Sequence, residues 1–283
     1  MDQSMNGLLE GKLDENALGL LRVENESTLD LDIVLIAITN KEEDVQSHVA
    51  HFHIGNKSVE LQFFNAEQIP RILIGGLNRR LVDWLMNAAI IAEKDGYVTE
   101  LRKKITQFPV KDRQHKIAVE FSKLIRRYAD GKQLFKQEHF LDAFNSILHS
   151  LHHLARISVI EHGLYPEVTV WQQVKHLEPE IYKLYEEMVT GEEVLEKRIE
   201  LLLIAINFAI TSKTRLGATH LIEIMQEKTE PWSIEDLLNH DQLKEYDSDL
   251  VVLIEFLVQK GIIDIVKVVT EENDVFLRLY LVK

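Results

Sequence analysis

A chain of 283 residues with 46% hydrophobic side chains has room for about two or three domains with their own cores, and a net charge of −14 makes it too acidic overall to coat nucleic acid. It contains no cysteine, which excludes disulfides, thiolate metal sites and cysteine nucleophiles. Met1–Asn16 has neither a basic start nor an apolar core of the signal-peptide kind, and the longest apolar runs, such as Leu201–Ile210, include polar residues and are too short to span a bilayer, so the expectation is a cytoplasmic protein with no membrane association.

The first third alternates strand and helix signals. Ala17–Val23 is short and apolar. Leu29–Ile38 begins with period-two alternation and turns wholly apolar, as a strand does on entering a buried sheet. His48–Ile54 and Ser58–Phe64 alternate about Gly55-Asn56, a hairpin signal. Arg79–Glu93 places Leu81, Val82, Leu85, Ala88, Ala89 and Ala92 at helical spacing, and Lys94-Asp95-Gly96 stops that helix.

Phe108-Pro109 marks a boundary, and the pattern beyond it is helical. Lys116–Asp130 is amphipathic and ends at Gly131; Glu138–His162 buries Phe140, Phe144, Ile147, Leu148, Leu151, Leu154 and Ile157. Pro166–His176, Glu180–Val189, Glu192–Thr211 and Ala218–Glu227 complete an up-and-down bundle. In the tail, Ser233–Asn239 is a short helix with Ser233 as N-cap, and Asp249–Lys260 is a helix stopped by Gly261. Ile262–Val269 and Val275–Val282 are two strands, so the tail reads as a winged helix. The predicted domains are residues 1–110, 111–229 and 230–283.

The chemistry concentrates at the mouth of the apolar strand. Asp30 and Asp32 are two residues apart, so in a strand their carboxylates share a face, roughly 6.5–7 Å apart along the chain. Carboxylates so placed suit a pair of Mg²⁺ ions about 3.5–4 Å apart, hard cations that take oxygen ligands together with phosphates. A third carboxylate on a neighbouring strand completes such a site, and Glu60 is placed to reach Asp30 if the strands pair. The plain alternative is that two aspartates at a strand edge are simply solvated.

Gly19, eleven residues before Asp30, the Asp30-Leu31-Asp32 pair and Glu60 together resemble the pattern of the DNA-polymerase-β-type nucleotidyltransferases. From Ala17 to the tail the chain is similar to the bacterial nucleotidyltransferase-like YgxA-type family, most clearly at Asp83–Tyr97, Phe121–Tyr128 and Leu151–Arg156. The resemblance implies an α+β protein: a nucleotidyltransferase-like mixed-sheet head, an all-α helical bundle of the substrate-binding kind, and a winged-helix-like tail. It implies Mg²⁺ held by Asp30 and Asp32, with Glu60 as third ligand or general base, and an NTP and a hydroxyl-bearing acceptor as partners. Such enzymes grip phosphates with a Gly-Ser turn. Here the second residue is Leu20, in a segment that reads as strand. A rival reading follows: a binding or regulatory protein that keeps the fold and has lost transfer.

Other signals are ambiguous. Arg79 and Arg80 open a helix after Gly75-Gly76-Leu77-Asn78 and suit a triphosphate, or an ordinary exposed helix start. Ten basic residues against three acids lie between Arg102 and Lys132, which suits a nucleotide or RNA backbone, or the charged faces of two helices. His139, His149, His152, His153 and His162 share one helix, and Arg156 with His162 also resembles the short Arg–His signature of HEPN ribonucleases; a polar bundle face explains them as well. His48, His51 and His53 read as surface. The tail carries twelve acids against five basic residues, which argues against DNA and for a protein partner or packing on the bundle.

Overall fold

The run that turns from alternating to wholly apolar becomes the centre of a sheet. Strand β2 (Ile33–Thr39) is buried at every position, as a strand covered on both faces must be. The computed structural model describes residues 16–24, 31–40, 49–76, 78–269 and 275–283. In it β1 (Ala17–Glu24), β3 (Val49–Ile54), β4 (Lys57–Asn65) and β5 (Ala89–Glu93) join β2 in the order β3-β4-β2-β1-β5. β2 and β4 are parallel, and the other neighbours are antiparallel, so the sheet is mixed. β3 and β4 turn at Gly55, whose φ of 62° is the left-handed conformation the hairpin needs.

The head also holds α1 (Ile69–Gly75), α2 (Arg79–Asn87) and α3 (Tyr97–Gln107). The single helix expected over Arg79–Glu93 is two elements. Ala88 is extended (ψ 148°), and Ala89–Glu93 pairs with β1 instead of continuing the helix. The stretch Ala-Ile-Ile-Ala fits either period, and a free strand edge decided in favour of sheet. Arg102 of α3 fastens the junction, donating from Nε to the Leu85 carbonyl at 2.6 Å and from its guanidinium to the Ala88 carbonyl.

The chain divides into two compact units, Met1–Phe108 and Pro109–Lys283. The second begins with α4 (Val110–Lys136), which runs through Gly131 rather than ending there. A Cβ on Gly131 would lie 2.7 Å from Ile147 Cδ1, so this glycine admits α5 (Phe140–Glu161) to close packing. α6 (Val170–Leu177) and α7 (Pro179–Thr190) follow.

The two helices expected over Glu192–Thr211 and Ala218–Glu227 are one, α8 (Leu195–Met225). Gly217 lies inside this helix, and the Phe121 ring occupies the space of its missing side chain: a Cβ there would stand 2.2 Å from Phe121 Cγ, so close packing accounts for the glycine. Among the described residues α8 is the one helix long and apolar enough to cross a membrane by length and composition. Ile199, Leu202, Ile206 and Ile210 are buried, and Leu201, Ile204 and Phe208 are exposed.

The end of α8 leads directly into the tail. Trp232 donates from Nε1 to the Met225 carbonyl at 2.9 Å and bridges to Tyr280. α9 (Ile234–Asn239) starts with a Ser233–Asp236 capping box, a 3-10 turn covers Asp241–Tyr246, and α10 (Asp249–Gln259) stops at Gly261 (φ 69°). β6 (Ile263–Val269) and β7 (Phe276–Val282) form the antiparallel wing. α10 packs on α4, with Phe256 edge-on to Phe121 at 6.0 Å and Asp249 Oδ1 2.6 Å from Arg126 Nε.

Candidate functional site

Ile33, Leu35 and Ala37 of β2 pack with Val59 and Leu61 of β4 in one apolar cluster, joined by Leu20, Phe52, Ile54 and Phe63. Side chains alternate along a strand, so the residues between these face the other way. Ile33 is opposite Val59 and Val34 opposite Glu60, which sets Asp32 beside Ser58. In the antiparallel pair β3–β4, His51 is opposite Glu60 and His53 opposite Ser58. One face therefore carries Asp32, Ser58, Glu60, Gln62, His51 and His53.

Hydrogen bonds tie this corner together. The Asp32 N–H donates to the Ser58 carbonyl at 3.0 Å, and the Ser58 N–H donates to Asp32 Oδ2 at 2.8 Å. Ser58 Oγ is 3.4 Å from His53 Nδ1, and Gln62 Nε2 donates to Glu60 Oε1. Asp32 is exposed and Glu60 half-buried. Asp30 lies outside the described residues. Among those described, no group of three or more His, Asp or Glu gathers closely enough to hold a metal ion. Asp32 and Glu60 carry carboxylate oxygens, the type of ligand Mg²⁺ takes, on neighbouring strands.

Gly19 is not brought to this corner. It is opposite Ile38, six residues along β2 from Asp32, which is about 20 Å at strand spacing. A Cβ on Gly19 would come 2.3 Å from Val98 Cγ2, so close approach of α3 accounts for the glycine. Leu20 is 2% exposed in the apolar cluster on the opposite face. Gly76 is the left-handed cap of α1 (φ 67°), and its N–H donates to the Ile72 carbonyl at 3.0 Å. The Gly75-Gly76 turn thus ends a helix. Arg79 opens α2, capped by Asn78, and Arg80 is exposed in its first turn.

The basic band is partly consumed by the fold. Arg102 holds carbonyls, Arg126 pairs with Asp249, and Lys116 is buried with its Nζ 5.8 Å from the Tyr165 ring centroid. The histidines of α5 go separate ways. His152 meets Trp171 edge-on at 5.1 Å, His153 Nδ1 is 2.7 Å from Glu120 Oε2, and His162 Nδ1 is 2.8 Å from the Ser158 carbonyl. Arg156 turns to Glu120 as well, at 3.4 Å.

Glu120 went unnoticed in the sequence, although a lone acid between Val119 and Phe121 on an apolar helix was its signal. It is 2% exposed. Burial alone would raise its pKa, but the hydrogen bond from His153 and the charges of Arg156 and Lys123 outweigh it and hold the carboxyl well below the usual range. Burial lowers the pKa of His153, so the pair is best described as a carboxylate accepting from a neutral imidazole.

Residues 8–113 match a family described as nucleotidyltransferase-like, residues 114–213 a YgxA-like substrate binding domain, and residues 219–282 a helix-turn-helix domain. The last match begins within α8, whose final turns serve as the first helix of the tail. Over 270 residues the chain is 39% identical to the uncharacterized protein YgxA of Bacillus subtilis (strain 168), covering 94% of this chain and 91% of that one. The crystal structure of a nucleotidyltransferase-like protein from Exiguobacterium sibiricum 255-15 matches with a TM-score of 0.85 at 35% identity, covering 99% of this chain and 98% of that one.

Proposed function

Since the chain belongs to the YgxA family of nucleotidyltransferase-like proteins, we propose that its head binds Mg²⁺ and a nucleoside triphosphate at the face carrying Asp32 and Glu60, with slow transfer of a nucleotidyl group to a hydroxyl acceptor. The observation that carries this reading is the parallel pairing of β2 with β4, which sets Glu60 one strand over from Asp32 and on the same face. Asp30, two residues earlier in the sequence, extends the acidic pair.

A bound Mg²⁺ supplies charge neutralisation at the phosphates. Asp32 offers a carboxylate ligand, oriented by the Ser58 N–H. Glu60 is a further ligand to that cation or the general base; as base it takes the proton of the acceptor hydroxyl as the new O–P bond forms at the α-phosphorus and the bond to the bridging oxygen breaks, releasing pyrophosphate. The test is calorimetric titration of Mg²⁺ or Mn²⁺ into wild type, Asp32→Asn and Glu60→Gln. Millimolar or tighter binding that both variants weaken is the expected result, and equal heats in all three would remove the metal site.

A second reading, a binding or regulatory protein with transfer lost, is favoured by one observation. Gly19 and Leu20, where the family pattern sets its phosphate turn, lie within a packed strand away from Asp32. Labelled NTPs with Mg²⁺ and a cell extract as acceptor source separate the two. Transfer abolished by Asp32→Asn supports the enzyme, and nucleotide binding without transfer supports the rival.

The tail is proposed as a protein-contact module in a cytoplasmic protein. Leu250, Leu253, Ile254 and Leu257 of α10, the helix a DNA-binding winged helix would present to the groove, are buried, and Asp249 pairs with Arg126 of the bundle.

A further inference from the structure

A triphosphate site needs donors as well as a cation. The described sheet residues on the Asp32 face include no lysine or arginine: β1 contributes Gly19, Leu21 and Val23, β2 contributes Val34, Ile36 and Ile38, and β4 ends in Phe64. The N–H and O–H donors there are Ser58, Gln62, His51 and His53. Gln62 is engaged with Glu60. Ser58 and His53 stand in one row with Asp32, one and two strands away, about 4.8 Å per strand.

We infer that Ser58 and His53 form the phosphate-gripping pair of this head, supplying from β4 and β3 the hydroxyl and N–H contacts that the Gly19-Leu20 segment does not provide. This rests on the reading of Asp32 and Glu60 as a cation site. The geometry is particular. Ser58 is tied to Asp32 twice, its carbonyl accepting from the Asp32 N–H and its own N–H donating to Asp32 Oδ2, so its hydroxyl is held one strand from the cation ligand. That hydroxyl lies 3.4 Å from His53 Nδ1, so hydroxyl and imidazole point into one space. A phosphate oxygen bound there would accept from the hydroxyl and from the imidazole, each a hydrogen bond to a charged group.

The experiment uses the full chain and two probes, Mn²⁺ alone and ATP in the presence of saturating Mn²⁺, each followed by calorimetry. Ser58→Ala and His53→Gln are each expected to weaken ATP binding about tenfold or more. Ser58→Thr, which keeps the hydroxyl, should bind ATP as wild type does, and Mn²⁺ alone should bind all three within about twofold of wild type. If Mn²⁺ binds and ATP binds equally well to wild type, Ser58→Ala and His53→Gln, the inference is overturned while the cation site stands. ATP binding absent from a wild type that holds Mn²⁺ overturns it too. A wild type that holds neither probe overturns the cation site, and the phosphate pair with it.

Discussion

Asp32 and Ser58 hold each other at two points: the Asp32 N–H donates to the Ser58 carbonyl at 3.0 Å, and the Ser58 N–H returns to Asp32 Oδ2 at 2.8 Å. The contact closes the open end of the parallel pair β2–β4, so the carboxylate has a structural task beside any chemical one.

Asp32→Asn separates the two tasks. The amide keeps an acceptor oxygen for the Ser58 N–H and loses the charge. Stability should change by no more than about 0.5 kcal/mol. Mn²⁺ affinity should fall at least about tenfold, since removing a ligand costs no less than disturbing its support. Thermal unfolding and calorimetric titration of the same preparation read the two effects.

Gly217→Ala tests the join between bundle and tail. Alanine is the better helix former by about 1 kcal/mol. Its Cβ, however, would stand 2.2 Å from the fully buried Phe121 ring. Overpacking of about 1–3 kcal/mol should win, giving net destabilisation in urea. Adding Phe121→Leu should recover part of the loss, a coupling that marks the two sites as neighbours.

Glu120→Ala should cost about 3–5 kcal/mol, because it strands Arg156 and His153 in the bundle without their carboxylate. Urea denaturation measures it. A loss under 1 kcal/mol would mean that the buried pair contributes little.

The stacked pair His115–His220, with ring centroids 3.9 Å apart, should make the second unit acid-sensitive. Burial, aided by Lys116, lowers His115 to about 4; burial, aided by His115, lowers His220 to about 3. Glu245 lies 3.5 Å from His115 Nε2, and the Tyr246 hydroxyl 2.8 Å from His220 Nδ1. Both imidazoles are neutral in the fold, so the unfolded chain takes up protons first, near pH 6.5. Their contribution is complete above that value and is lost as the pH falls from about 6.5 toward 4 and 3. The melting temperature should drop between pH 7 and pH 4.5, and His220→Gln should flatten that slope.

Local pattern was enough for much of this molecule. The hairpin at Gly55-Asn56, the Ser233 cap and the stop at Gly261 each depend on residues within a few positions of one another. Backbone geometry and neighbouring side chains settle such features without help from the rest of the chain. Other features came from residues far apart. Ala89–Glu93 is strand because β1 offers an edge, position 217 is glycine because Phe121 fills the space of a side chain, and Glu120 is ionised in the core because His153 and Arg156 meet it there. The site belongs to this second kind. Glu60 joins Asp32 only through the β2–β4 register, and a slip of one residue would turn Glu60 into the apolar cluster and Val59 out to solvent. The burial of Ile33, Leu35, Val59 and Leu61 on one side sets that register, and it leaves Glu60 on the opposite face, one strand over from Asp32.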